Sequence, residues 1–133
     1  MAHQQTVLSG LERLAAGTKI PAGATSSEAN DIRRRLVDRR CALLTNQTGR
    51  TRNGLTSLAI ITQWGAQVCA LFSPEHGLHG NREGDVASSV EAGLKCHSLY
   101  GEARRPTAEM MRGLYTVVFD IQDAGARFYT YST

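Results

Sequence analysis

Three observations predict an α/β fold, a parallel sheet covered by helices on both faces. Runs 41–45 (CALLT), 68–72 (VCALF) and 115–120 (YTVVFD) are short and almost wholly apolar, as strands buried on both sides are. Stretches of helical periodicity stand before and between them, the grammar of a parallel sheet with helical crossovers. The polar, chemically able residues gather just past the carboxyl ends of these runs, where an open parallel sheet places its ligand crevice.

Each element has its own signal. Val7, Leu11 and Leu14 recur at helical spacing and Gly17 follows as a stop, which predicts a helix over 6–16. Residues 17–30, rich in Gly, Ser, Thr and Ala, read as a loop. Ser27 is placed to cap a helix over 28–38 with Ile32, Leu36 and Val37 on its inner side. Arg33, Arg34, Arg35, Arg39 and Arg40 form a basic run without aromatic interleaving, which reads as a solvated face rather than an anion-binding patch. Strand 41–45 is followed by the polar turn NQTGRTRNG and a helix over 55–64 that Gly65 ends. After strand 68–72 and a Gly-rich excursion, 95–99 reads as a short strand. Pro106 opens a helix over 107–113, and 115–120 is the last strand. The crossovers are expected to be right-handed.

At 133 residues one folding unit is the expectation. Such a chain can bury roughly two-thirds of its unfolded surface. With 41% apolar and 20% charged residues it is neither a disordered tail nor a membrane span. Residues 1–60 carry nine Lys/Arg against four Asp/Glu, and residues 61–133 carry six against eight. The half with the chemically able residues is thus slightly acidic, which argues against a nucleic-acid partner. Cys41, Cys69 and Cys96 show no CxxC spacing. Cys41 and Cys69 lie inside apolar runs and are expected buried and unbridged, with no disulfide framework. The N-terminus MAHQQTVLSG lacks the basic-then-apolar pattern of a targeting signal.

Several motifs fail on inspection. Gly49–Gly54 matches G-x-x-x-x-G but is followed by Leu55 and Thr56, without the phosphate-binding Lys of a P-loop. Asn46-Gln47-Thr48 is a glycosylation triplet of the kind that arises by chance. Glu75, His76 and His79 have an H-x-x-H spacing beside a carboxylate, but Gly77 and Gly80 argue against a helix presenting both imidazoles to a metal ion. Carboxylates fit better. Glu75 follows a proline at the mouth of a buried strand, where partial shielding would raise its pKa toward general-acid use. Asp120 and Asp123 flank another strand exit, and neighbouring strands about 4.8 Å apart bring such carboxyl groups within the roughly 5–10 Å of glycoside hydrolysis. The bland alternatives are a cap for Asp120 and an Asp123–Arg127 pair four residues apart. Glu75, Asn46 and the 120–127 segment are expected at one edge of the sheet.

The strings VLSGLERL, LLTNQTG, FSPEHGLHG, SLYGEARRPT and VVFDIQDAGARFYTY, in this order, resemble the N-terminal part of the NamZ-type exo-β-N-acetylmuramidases. The resemblance runs from about Val7 to the end of the chain, and FSPEHG and FDIQDAGARFYTY are its specific parts. It implies a Rossmann-like domain followed by a second, C-terminal domain, with the site in the cleft between them. It implies release of N-acetylmuramic acid from the non-reducing ends of peptidoglycan fragments, in a family often exported to the cell envelope. The glutamate of its PEHG motif, proposed as the catalytic acid, lands on Glu75. The 17–30 loop is longer than the family's usual connection. Family proteins run to several hundred residues. Residues 1–133 are therefore expected to hold an incomplete Rossmann-like domain without the C-terminal domain, inactive as a hydrolase alone and with an unpaired sheet edge that invites self-association.

The leading expectation is a glycoside hydrolase needing no cofactor. Glu75 protonates the leaving oxygen, and Asp120 or Asp123 is the second carboxylate or orients it. Arg127 receives the lactyl carboxylate of the sugar through its guanidinium fork. Asn46, His76, Gln122 and Tyr129 complete the substrate-binding set, His76 alternatively holding Glu75. The rivals are a non-catalytic sugar- or nucleotide-binding module and a metal-dependent hydrolase using His76 and His79.

Overall fold

The computed structural model describes residues 8–17, 27–74, 77–79, 89–100 and 102–122. Their elements, in chain order, are α1 (Gly10–Gly17), α2 (Ser27–Leu36), β1 (Arg40–Thr45), α3 (Ser57–Gln63), β2 (Gln67–Ser73), β3 (Ser89–Glu91), β4 (Leu94–Ser98) and β5 (Thr116–Asp120). The five strands form one sheet in the order β3-β4-β2-β1-β5. β4, β2, β1 and β5 run parallel, and β3 alone is antiparallel, a hairpin on the β4 edge. The parallel strands, numbered by their own succession, read 3-2-1-4, the order of a Rossmann-like half. The fold is therefore a Rossmann-like α/β sheet, mixed at one edge.

Central position explains the sequence of β1. Cys41, Ala42 and Leu43 are all fully buried, because both faces of the strand are covered and both of its edges are paired. Side chains alternate across the sheet. Cys41 and Leu43 join Leu71, Cys96, Leu11 of α1, Leu36 of α2 and Ile60, Ile61 and Trp64 of α3 or its cap in the larger core. Ala42, Ala70 and Phe72 form a smaller core on the other face, packed by Leu44, Leu99, Met110, Leu114 and Val117. The three described helices thus serve one face. Among the described residues the second face is covered by a looping segment, because the helix expected at 107–113 is a run of turns. Met111 N–H donates to Thr107 O at 3.1 Å, but Arg112 and Leu114 reach back only three residues, to Glu109 and Met111. A seven-residue stretch ending in a positive-φ glycine, Gly113, is too short to repay helix nucleation without strong packing.

Local chemistry sets the element ends. Ser9 caps α1 with a reciprocal box: Glu12 N–H donates to Ser9 Oγ at 3.2 Å and Ser9 N–H to Glu12 Oε2 at 2.8 Å. The same carboxylate takes Arg52 N–H and faces Arg52 Nε, both at 3.3 Å, tying α1 to the loop before α3. These bonds, the one from Ser9 N–H foremost, hold the Glu12 carboxyl below the usual carboxylate range. Thr56 Oγ1 caps α3 by accepting Ala59 N–H at 3.2 Å. α2 stops at Leu36, short of the expected 38, where Val37 bridges to Ala66 and Asp38 takes a φ of 56°. Leu36 is buried, but Ile32, expected on the inner side, is 40% exposed. Arg33, Arg34 and Arg35 are solvated as the sequence suggests. Arg39 lies 4.4 Å above the Tyr115 ring, and Arg40 Nε donates to Gly113 O at 3.0 Å.

Two readings need correction. Cys41 is buried and free, but Cys69 is only half-buried. The β1–β2 register steps from Cys41↔Val68 to Ala42↔Ala70, so Cys69 is the extra residue of a bulge and leaves the core alternation. The hairpin strand β3 lies inside what reads as a Gly-rich excursion. Ala92 and Gly93, with φ of 50° and 76°, make its two-residue turn, and both positive values fit a type I′ hairpin.

Candidate active site

In this topology the strand order reverses beside β1, between β1 and β5, and the crevice belongs at the carboxyl ends of that pair. β1 delivers Thr45 and Asn46 there, and β5 delivers Asp120, which stands opposite Thr45 in the register. β2 ends at the buried Ser73 and Pro74 on the other side of β1.

The exit of β1 is a tight polar loop. Asn46 Oδ1 accepts Thr48 N–H at 2.9 Å and the Thr48 hydroxyl at 2.6 Å, an Asx-type turn. Thr48 Oγ1 in turn accepts Gln122 N–H at 3.1 Å, so the exits of β1 and β5 are tied together. Beneath the loop, Thr45 Oγ1 donates to Asp120 O at 2.9 Å. Ser57, the first residue of α3, donates from both N–H (2.9 Å) and Oγ (3.1 Å) to Gly49 O. The two hydroxyl oxygens are 3.3 Å apart. Gly49 has to be glycine: a Cβ there would lie 2.0 Å from Thr45 Oγ1, 2.7 Å from Ser57 Oγ and 3.1 Å from Asp120 Oδ2.

Burial pushes the Asp120 carboxyl above the usual carboxylate range, against a weaker downward pull from the Ser57 hydroxyl. Asp120 Oδ2 itself is buried without a hydrogen-bond partner.

Two openings flank the loop. A cleft of about 190 Å³ is lined by Asn46, Gln47, Arg50, Leu71, His79 and Glu91 among others, with His79 Nε2 3.1 Å from Glu91 Oε1. A shallower opening is lined by Leu8, Ser9, Glu12, Arg50, Arg52 and Gln122. Arg50 borders both, and Asp120 lines neither.

Of the residues the sequence singled out, the structure brings Asn46, Asp120 and Gln122 to one edge. Glu75, His76, Asp123, Arg127 and Tyr129 lie outside the described residues. Asn46 is buried and its side-chain oxygen is engaged in shaping the loop, while Gln122 is exposed beside the shallow opening. Sequence reasoning missed Thr45, Thr48, Gly49 and Ser57, whose roles come from contacts across the sheet. Among the described residues, no group of three His, Cys, Asp or Glu side chains is placed to hold a metal ion.

Comparison with known proteins adds the family. Residues 41–133 match the family model described as Exo-beta-N-acetylmuramidase NamZ, N-terminal. The chain is 38% identical over 106 residues to the Peptidoglycan beta-N-acetylmuramidase NamZ of Bacillus subtilis (strain 168), covering 76% of this chain and 26% of that protein. It thus spans about a quarter of the length of that curated relative. Two crystal structures of DUF1343 family proteins from Bacteroides fragilis NCTC 9343 share the fold. BF0371 gives a TM-score of 0.63 at 34% identity, over 77% of this chain and 26% of that one. BF0379 gives 0.55 at 35%, over 72% and 24%. With a parallel sheet of Rossmann order, a polar crevice at its switch point and a family match from the first residue of the buried β1 core onward, the chain belongs to the NamZ family, in its N-terminal region.

Proposed function

We propose that residues 1–133 are the N-terminal part of a Rossmann-like catalytic domain in a glycoside hydrolase that releases N-acetylmuramic acid from the non-reducing ends of peptidoglycan fragments. The carrying observation is the family match over 41–133, which contains the PEHG motif. The geometry supports it: Asn46, Asp120 and Gln122 converge at the switch point, and Pro74, just before Glu75, closes the adjacent strand.

In this reading Glu75 is the general acid that protonates the glycosidic oxygen. The second carboxylate is sought at Asp120 or Asp123. Arg127 pairs with the lactyl carboxylate, and His76, Gln122 and Tyr129 complete the sugar contacts. The full site includes the family's C-terminal domain, since oriented binding is worth about 7–11 kcal/mol of the barrier in favourable cases.

The test is release of N-acetylmuramic acid from a β-linked disaccharide by the full-length protein carrying this sequence, as wild type and as Glu75→Gln. Removing a general acid while keeping its shape is expected to cost about 10²–10⁴-fold in kcat. Full activity of Glu75→Gln would overturn the assignment of the acid, and no release by the wild type would overturn the reaction.

A further inference from the structure

Among the described residues, Asp120 is the ionisable side chain that has a fully buried oxygen with no hydrogen-bond partner. Its surroundings decide its protonation state. Each hydroxyl has one proton to give. Thr45 Oγ1 has Asp120 O within reach at 2.9 Å and Ser57 Oγ has Gly49 O at 3.1 Å, so each hydroxyl proton has a backbone acceptor other than Oδ2. With their protons turned to those backbone oxygens, the hydroxyls present lone pairs toward Oδ2. A carboxylate oxygen buried there without a donor is disfavoured, whereas a neutral acid needs only an acceptor for its O–H. Thr45 Oγ1, Ser57 Oγ and Asp120 Oδ2 converge on the space above Gly49, and neither hydroxyl titrates in the carboxylate range or can supply a positive charge.

We propose that Asp120 is held as the neutral carboxylic acid, its Oδ2–H directed into the Thr45–Ser57 hydroxyl pair, and that it positions the 46–50 loop instead of serving as the second reacting carboxylate. The last clause rests on the hydrolase reading, within which it leaves Asp123 for that role. The upward push of burial on its carboxyl agrees with a neutral acid.

The test is a ¹³C-carboxyl NMR titration of the wild-type chain, with Asp120 assigned by through-bond correlation. Its resonance is expected at the neutral-acid position at pH 5, titrating well above the ordinary aspartate value of about 3.9. Unfolding free energy against pH supplies a second readout. A folded-state pKa that is raised gives stability present below the unfolded value and lost as pH rises through the folded one. Asp120→Asn keeps a donor and cannot ionise. It should gain on wild type as pH rises from 4 and then level off, while Asp120→Ala falls below Asp120→Asn at every pH. A resonance titrating in or below the ordinary range overturns the proposal, as does equal stability of the Asn and Ala variants. Neither readout involves turnover, so failure of the hydrolase reading leaves this result standing, and failure here returns Asp120 to the set of reacting carboxylates.

Discussion

Gly49→Ala tests the packing that builds the crevice. The added Cβ would sit 2.0 Å from Thr45 Oγ1 and 2.7 Å from Ser57 Oγ, inside any real carbon–oxygen contact. Both neighbours are buried, at 5% and 1% exposure, so neither can swing into water. Overpacking of a well-filled site typically costs about 1–3 kcal/mol. Rotating Thr45 away also breaks its 2.9 Å bond to Asp120 O, a further cost of about 1 kcal/mol. The sum is about 2–4 kcal/mol, which at an unfolding entropy typical of this chain length lowers Tm by about 8–15 °C. Gly10→Ala is the control. Nothing lies within 4 Å of its Cβ position, at the start of α1. Alanine should there be neutral or stabilising by up to about 1 kcal/mol. Thermal unfolding followed by far-UV circular dichroism reads both. A Gly49→Ala protein melting within about 3 °C of wild type would show that the loop can move away from the strand ends, and the packed crevice would have to be abandoned.

Ser9→Ala removes half of the α1 capping box and should cost about 1 kcal/mol by urea unfolding, within the 0.5–2 kcal/mol typical of such caps. Glu12 is held below the usual carboxylate range, so its contribution is present above the unfolded value and lost as pH falls through the folded one. The stability advantage of wild type over Glu12→Gln should therefore shrink on acidification from pH 6 to pH 3, and an advantage independent of pH would argue against the Ser9 and Arg52 contacts. Cys69 should react with a thiol reagent under native conditions well before Cys41 and Cys96, as read by intact-mass spectrometry. Burial pushes the Cys41 thiol up, with Cys69 adding to it, so uniform labelling of all three would contradict the bulge at Cys69.

The sequence carried the parallel core because burial on both faces leaves a signature in a single run of residues. Cys41 to Leu43 and Leu71 to Phe72 are wholly buried, and each reads as an unbroken apolar run. β3 left no such signature. Val90 is 71% exposed at the sheet edge, and its turn begins with Ala92 where Asn or Asp would have signalled a type I′ hairpin. The start of α1 was legible but unread: Ser9 and Glu12 are a capping box in plain sequence. The turn-rich 107–113 segment shows the opposite failure, a helical pattern too short to hold without support. Cys69 shows a third, because a bulge comes from the pairing of two strands and is not written in either one.

The candidate site divides along the same physical line. Asn46, Asp120 and Gln122 were found because strand exits are one-dimensional features, read by locating where an apolar run stops. The residues that fix the shape of the exit are two-dimensional features. Thr45 and Asp120 are 75 positions apart and meet only because β1 and β5 are neighbours in the sheet. Gly49 carries no turn-forming φ to explain it. Its requirement comes from Thr45, Ser57 and Asp120 arriving at one point from β1, α3 and β5. An architecture in which the fifth strand docks beside the first therefore does two things at once. It creates a switch point of the kind at which open α/β sheets bind their ligands, and it buries a carboxyl beside two hydroxyls that each have a backbone acceptor within reach. The first follows from strand order alone, whereas the second depends on glycine at 49, since a side chain at that position would occupy the space into which the three oxygens converge.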